Sequence, residues 1–149
     1  MKTITLRHPF APHHRPQIHA IVADFVQFGT FHPLIKQVDS ITIDAIQDKI
    51  YDIKEEAVLF GWLKTKPNYR VFVEASADDD RVVYKSMIMG LMRLRIEFSF
   101  LQEEQQLWLI EKVDVSTIPL ITKIFLDIFS PAHQATVAKI GEHLNAQKA

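Results

Sequence analysis

From Val38 to Val115 apolar and polar residues alternate with a period of two, the pattern of strands that bury one face. The clearest run sets Met92, Leu94, Ile96, Phe98 and Phe100 against Arg93, Arg95, Glu97 and Ser99. Around it the same period predicts strands at Ile41–Ile43, over 49–59, over 62–76 with a break at Pro67-Asn68, over 81–88 and over 106–115. Asp78-Asp79-Asp80, Gly90 and Glu103-Glu104-Gln105 read as the turns between them. Connections this short join antiparallel neighbours, because a parallel crossover needs about a dozen residues or more.

The ends of the chain read differently. Residues 1–8 alternate like a strand and lack the apolar stretch of a signal peptide. Pro9, Pro12 and Pro16 predict a loop over 9–16. Ile18, Ile21, Val22, Phe25 and Phe28, spaced by three and four, then predict an amphipathic helix over 16–28 with Gly29 as its stop. The helical period returns in Ile118, Ile121, Phe125, Ile128, Ala132, Thr136, Ile140 and Leu144. Pro131 within that stripe either starts a new helix after Ser130 or kinks a single one.

The order is strand, one or two helices, five to six antiparallel strands and a long C-terminal helix. This predicts an α+β fold in which a curved antiparallel sheet wraps the last helix. One helix does not fill a concave sheet, so a cavity between them is expected, and such cavities are typical small-molecule sites.

Composition narrows the function. At 149 residues one core, and so a single domain over 1–149, is expected. Lys and Arg number 17 against 18 acidic residues, which argues against nucleic acid, whose binders carry excess basic charge. No apolar run approaches the ~20 residues of a membrane span, so no membrane insertion and a cytoplasmic location are expected. The absence of Cys removes disulfides, thiol nucleophiles and Cys-ligated metals.

No cofactor is called for either. The four glycines form no phosphate loop, and there is no Gly-x-Ser-x-Gly elbow. Seven histidines raise the question of a metal, but His13 and His14 are adjacent in a proline loop and no HExxH spacing exists. They read as solvated loop residues, with no metal site.

Two stretches carry a family resemblance. Asp24-Phe25-Val26-Gln27-Phe28-Gly29-Thr30-Phe31-His32-Pro33 is similar to the run of an aspartate and aromatics ending in aromatic-His-Pro in the START-like (SRPBCC) superfamily, the helix-grip proteins that include Bet v 1 and polyketide cyclases. Phe129-Ser130-Pro131-Ala132-His133, continuing through Ile140-Gly141-Glu142-His143-Leu144, resembles its C-terminal helix. The resemblance implies a lipophilic-ligand pocket between sheet and long helix. The superfamily shares no single catalytic motif, so no catalytic residue carries over from it.

Strand parity selects the side chains facing that pocket. Glu111 shares a face with Leu107, Leu109, Val113 and Val115, and Glu55 with Tyr51, Ile53 and Ala57. Each is therefore an inward acid or polar anchor, unless a bulge shifts the parity and returns it to the surface. His32 is placed near the pocket mouth by the resemblance, as a general base or as the residue that orders the turn before Pro33. Tyr69 and Tyr84 can offer hydroxyls to a ligand or lie in the core. The expected ligand-binding set is Tyr51, Trp62, Tyr69, Tyr84, Met92, Leu94, Ile96, Phe98 and Glu111 with Ile121, Phe125 and Ile128 of the last helix; the catalytic candidates are Glu111, Glu55 and His32.

Three functions remain open on these residues. A carrier of a small lipophilic molecule predicts an apolar cavity with few polar groups. A cyclase, aromatase or dehydratase-type enzyme predicts titratable groups converging there with shifted pKa values. An interaction module predicts a filled cavity and a large exposed apolar patch. The stretch from Ile118 to Phe129 is apolar nearly all round, which suits either a mobile gate or a homodimer interface.

Overall fold

In the computed structural model, which describes residues 1–41, 48–75 and 80–147, the alternating runs join into one sheet. Strand β1 (Lys2–Phe10) leads through a 3-10 turn (Pro12–His14) into α1 (Arg15–Ala23) and α2 (Phe25–Phe31). Strands β2 (Ile35–Ser40) and β3 (Asp48–Glu55) follow, then a short hairpin of β4 (Ala57–Leu59) and β5 (Leu63–Thr65). Next come β6 (Asn68–Ala75), β7 (Val82–Ile88), β8 (Met92–Glu103) and β9 (Gln106–Ser116), and α3 (Pro119–Ala146) ends the chain. The seven-stranded sheet has the order β1-β9-β8-β7-β6-β3-β2, and every neighbouring pair is antiparallel. This is the predicted α+β helix-grip architecture. Strands β1 and β2 lie at opposite edges, so α1 and α2 carry the chain from one edge to the other.

Parity holds where it was clearest. Met92, Leu94, Ile96 and Phe98 of β8 are buried, as are Leu107, Leu109, Glu111, Val113 and Val115 of β9. Ladder pairs such as Ile96↔Val113 and Tyr84↔Ile96 put these side chains on one face. The second half of α3 packs on that face through Val137, Ile140 and Leu144. Among the described residues no helix is long and apolar enough to cross a membrane.

Several boundaries differ from the sequence reading. Strand β1 runs through Pro9 to Phe10 instead of ending in a loop, which an edge strand tolerates because it has one unpaired side. The helix expected over 16–28 is two, broken at Asp24, whose extended backbone and side chain cap α2: Oδ1 accepts the Val26 N–H at 3.1 Å. The run over 62–76 divides into β5 and β6, and the β4–β5 ribbon stands apart from the main sheet. Helix α3 continues through Pro131 without restarting. The expected alternation at Ile43 and most of the Asp78–Asp80 turn lie outside the described residues; Asp80 itself accepts from Arg15 Nε at 3.0 Å.

Gly29 does not stop a helix; it lies inside α2, buried against β2. A Cβ there would sit 2.7 Å from Val38 Cγ2, a contact that forces α2 and β2 apart. Replacing a helical Gly by Ala favours the helix by roughly 1 kcal/mol, but overpacking costs about 1–3 kcal/mol. Gly29→Ala is therefore expected to lower stability by about 1 kcal/mol in urea unfolding; a more stable variant would mean that Val38 turns aside freely.

Candidate functional site

The N-terminal half of α3 does not pack down onto the sheet. Ile121, Phe125 and Ile128 are only half-buried, whereas Phe129, Ala132, His133 and Thr136 further along are buried. Beneath that first half lies a cavity of about 560 Å³, walled by α2, the concave face of β6–β8 and the β4–β5 hairpin. Met89 and Leu91 line it and yet are 73% and 65% exposed, so the turn between β7 and β8 marks its mouth.

The walls are mostly apolar; besides Thr65, Lys66, Asn68 and Ser86, their polar side chains fall in two groups. At one, His32 and His133 meet with ring centroids 5.2 Å apart at 85°. The His133 ring stacks on Phe129 at 3.7 Å, with Phe28 5.7 Å away. Behind His133, Glu111 is completely buried. Its Oε2 takes the hydrogen bond from His133 Nδ1, and its Oε1 lies 3.1 Å from His8 Nε2. Three distant segments, β1, β9 and α3, thus close one His–Glu–His cluster. Burial alone would push the Glu111 pKa up, but His133 and His8 outweigh it and hold the carboxyl at about 2. Glu111 is therefore an ionised acceptor for both imidazoles.

His32 sits at the C-terminal end of α2, and its Nδ1 accepts the Leu34 N–H at 3.2 Å. It thus orders the turn before Pro33 and lines the cavity at once. Burial, reinforced by His133, lowers its pKa to about 3, so the ring is neutral.

The second polar group is Glu55 with Tyr69, whose hydroxyl donates to Glu55 Oε1. Burial raises the Glu55 pKa, with the Tyr69 hydrogen bond opposing; burial and Glu55 together push Tyr69 well above its ordinary value. Tyr84 also lines the cavity, but its hydroxyl donates to the Val22 carbonyl, so it braces α1 against β7.

The structure brings Tyr69, Tyr84, Met92, Leu94, Ile96, Ile121, Phe125 and Ile128 of the expected set to the cavity wall, along with Glu55 and His32. It places four others elsewhere. Tyr51 and Phe98 are buried in the core, behind Phe25 and Phe28, whose rings they contact. Glu111 reaches the cavity only through His133. Trp62 is 75% exposed, because it lies in the turn that joins β4 to β5 rather than on a strand. The histidine reading changes as well: His8, His14 and His32 are buried rather than solvated. His133 was missed, although its spacing of four from Phe129 and eight from Phe125 puts it on their face of α3.

A seven-stranded antiparallel sheet gripping a long C-terminal helix over an apolar cavity defines the START-like (SRPBCC) helix-grip fold, and this chain has it. Among solved structures it is similar to TTHA0849 from Thermus thermophilus, at 13% identity and a TM-score of 0.75, over 99% of this chain and 100% of that one. A START superfamily protein from Mycobacterium smegmatis aligns at 14% identity and 0.68, over 95% and 98%. The Zhui aromatase/cyclase from Streptomyces sp. R1128 aligns at 10% and 0.66, over 95% and 94%. No protein-family model matches the sequence, and no curated protein does.

Proposed function

We propose that this chain binds a small, largely apolar molecule carrying a polar group, held non-covalently between the sheet and α3. The observation that carries this reading is the cavity of about 560 Å³, mostly apolar, with His32–His133 and Glu55–Tyr69 among its few polar groups. Apolar burial would drive binding, and the two polar groups would orient the ligand. The chain then acts as one cytoplasmic domain over residues 1–149, with a small lipophilic partner rather than nucleic acid. The exposed Ile118 and Leu120 at the start of α3 leave room for a homodimer.

The test is displacement of an apolar fluorescent dye, 1-anilinonaphthalene-8-sulfonate, together with native mass spectrometry of co-purifying molecules. Ile128 lines the cavity and is half-buried, so Ile128→Trp should fill the space. We expect dye affinity to fall by about tenfold or more, roughly 1.4 kcal/mol, with the melting temperature unchanged or raised. Equal dye binding by both proteins would put the dye, and the site, elsewhere.

A second reading, an enzyme of cyclase, aromatase or dehydratase type on the same scaffold, is favoured by one observation. His133, backed by ionised Glu111, and neutral His32 converge at one place in the cavity. A titratable ring with a strongly shifted pKa, His32, meeting a second imidazole in a cleft marks a site of proton transfer more often than a simple carrier.

A further inference from the structure

The hydrogen bonds around His32 and His133 determine which ring nitrogens remain for a ligand. Glu111 does not line the cavity, and His133 gives it Nδ1, so Nε2 is the nitrogen that His133 presents to the cavity. An ionised carboxylate takes a proton donor, which puts a proton on Nδ1; in the neutral ring that base catalysis requires, the lone pair is then on Nε2. His32 is the reverse case. Its Nδ1 accepts from the Leu34 amide, so its single proton is on Nε2, again the nitrogen left for the cavity. The two rings, 5.2 Å apart, therefore offer one acceptor and one neutral donor at the same spot.

Resting on the cavity as a ligand site, we propose that His133 is a general base and His32 a hydrogen-bond donor for an apolar ketone, which this pair enolises. The ketone oxygen accepts from His32 Nε2–H, and the adjacent carbon lies toward His133 Nε2. The α C–H bond breaks, its proton forms an N–H bond on His133 Nε2, and the electron pair moves onto the oxygen as an enolate. Return of a proton from the imidazolium to the carbon closes the cycle with nothing oxidised or reduced. Glu111 is a positioning residue: it sets the tautomer and meets the imidazolium that forms. His8, which does not line the cavity, meets the other oxygen of that carboxylate at 3.1 Å and so helps to hold it in place. His32 suits its role because its pKa of about 3 keeps it neutral, a donor that does not compete as a base.

The probe is 2-tetralone, an aromatic-fused ketone with activated methylene groups, incubated with the full chain in D2O and followed by NMR. We expect α-proton exchange about 100-fold faster than with equimolar imidazole. His133→Gln should reduce exchange to the buffer rate, and His32→Phe should slow it about tenfold or more while tetralone still binds. Tetralone that binds without accelerated exchange overturns the base assignment and leaves the binding reading intact. Tetralone that fails to bind at millimolar concentration removes both. Should His133→Gln not fold, long-range proton–nitrogen spectra of the unaltered protein decide: they should show His133 protonated on Nδ1 alone and His32 on Nε2 alone. His133 carrying both protons, or only the Nε2 proton, overturns the proposal.

Discussion

Glu111→Gln is expected to destabilise the fold by about 3 kcal/mol at neutral pH. The residue is fully buried and bonded to His8 and His133, so the desolvation of its charge is already offset in the native state. The amide keeps the shape and some of the hydrogen bonding but not the charge, which puts the loss at the low end of the roughly 3–5 kcal/mol seen when one member of a buried pair is removed. Linkage gives a similar figure. A carboxyl held at about 2 rather than 4.5 contributes about 3 kcal/mol above pH 4.5, lost as pH falls toward 2. Urea unfolding at pH 7 checks the magnitude. A loss below about 0.5 kcal/mol, the size of an ordinary surface substitution, would show that the cluster does not hold the three segments together electrostatically.

That Glu111 points inward was legible because strand parity is local: Leu109 and Val113 two residues either side fix its face. Its partners were not. His8 is 103 residues away and His133 is 22 away on another element, and no spacing rule connects a first strand, a last strand and a helix. His133 could have been found from Phe125 and Phe129 at steps of four, but the stripe drawn through Ala132 and Thr136 passed beside it. Parity also tells only which side chains face inward, not which part of the interior stays empty. Tyr51 and Phe98 face inward, yet Phe25 and Phe28 of α2 cover them, so the cavity lies further along, under the first half of α3. Trp62 fails for a different reason. Parity has meaning only within a strand, and Trp62 lies in the turn between β4 and β5.

His32→Phe should make the acid stability curve cross that of the unaltered protein. The folded chain resists protonating His32 down to about pH 3, whereas an unfolded histidine takes its proton near 6.5. Between those values the unfolded state binds more protons, so stability falls as pH falls from about 6.5 toward 3 and is complete above 6.5. The ceiling of this contribution is about 5 kcal/mol, and by pH 4 about 3 kcal/mol of it is gone. Glu111 adds its own loss only below about pH 4.5. Glu55 acts in the opposite sense, because its raised pKa favours the folded state below the usual carboxylate range and loses that as pH rises. Both terms are common to the two proteins and cancel in the difference. At pH 7 the variant keeps an aromatic ring beside Phe28 and His133 but leaves the Leu34 amide without its acceptor, a loss of about 1 kcal/mol. At pH 4 the order should invert, with His32→Phe the more stable by about 2 kcal/mol, since it has no proton to exclude. Urea midpoints from pH 7.5 to 4 measure the difference directly. Parallel curves over that range would show that the folded protein accepts a proton at His32 as readily as the unfolded chain does, and the neutral donor at the cavity wall would fall with them.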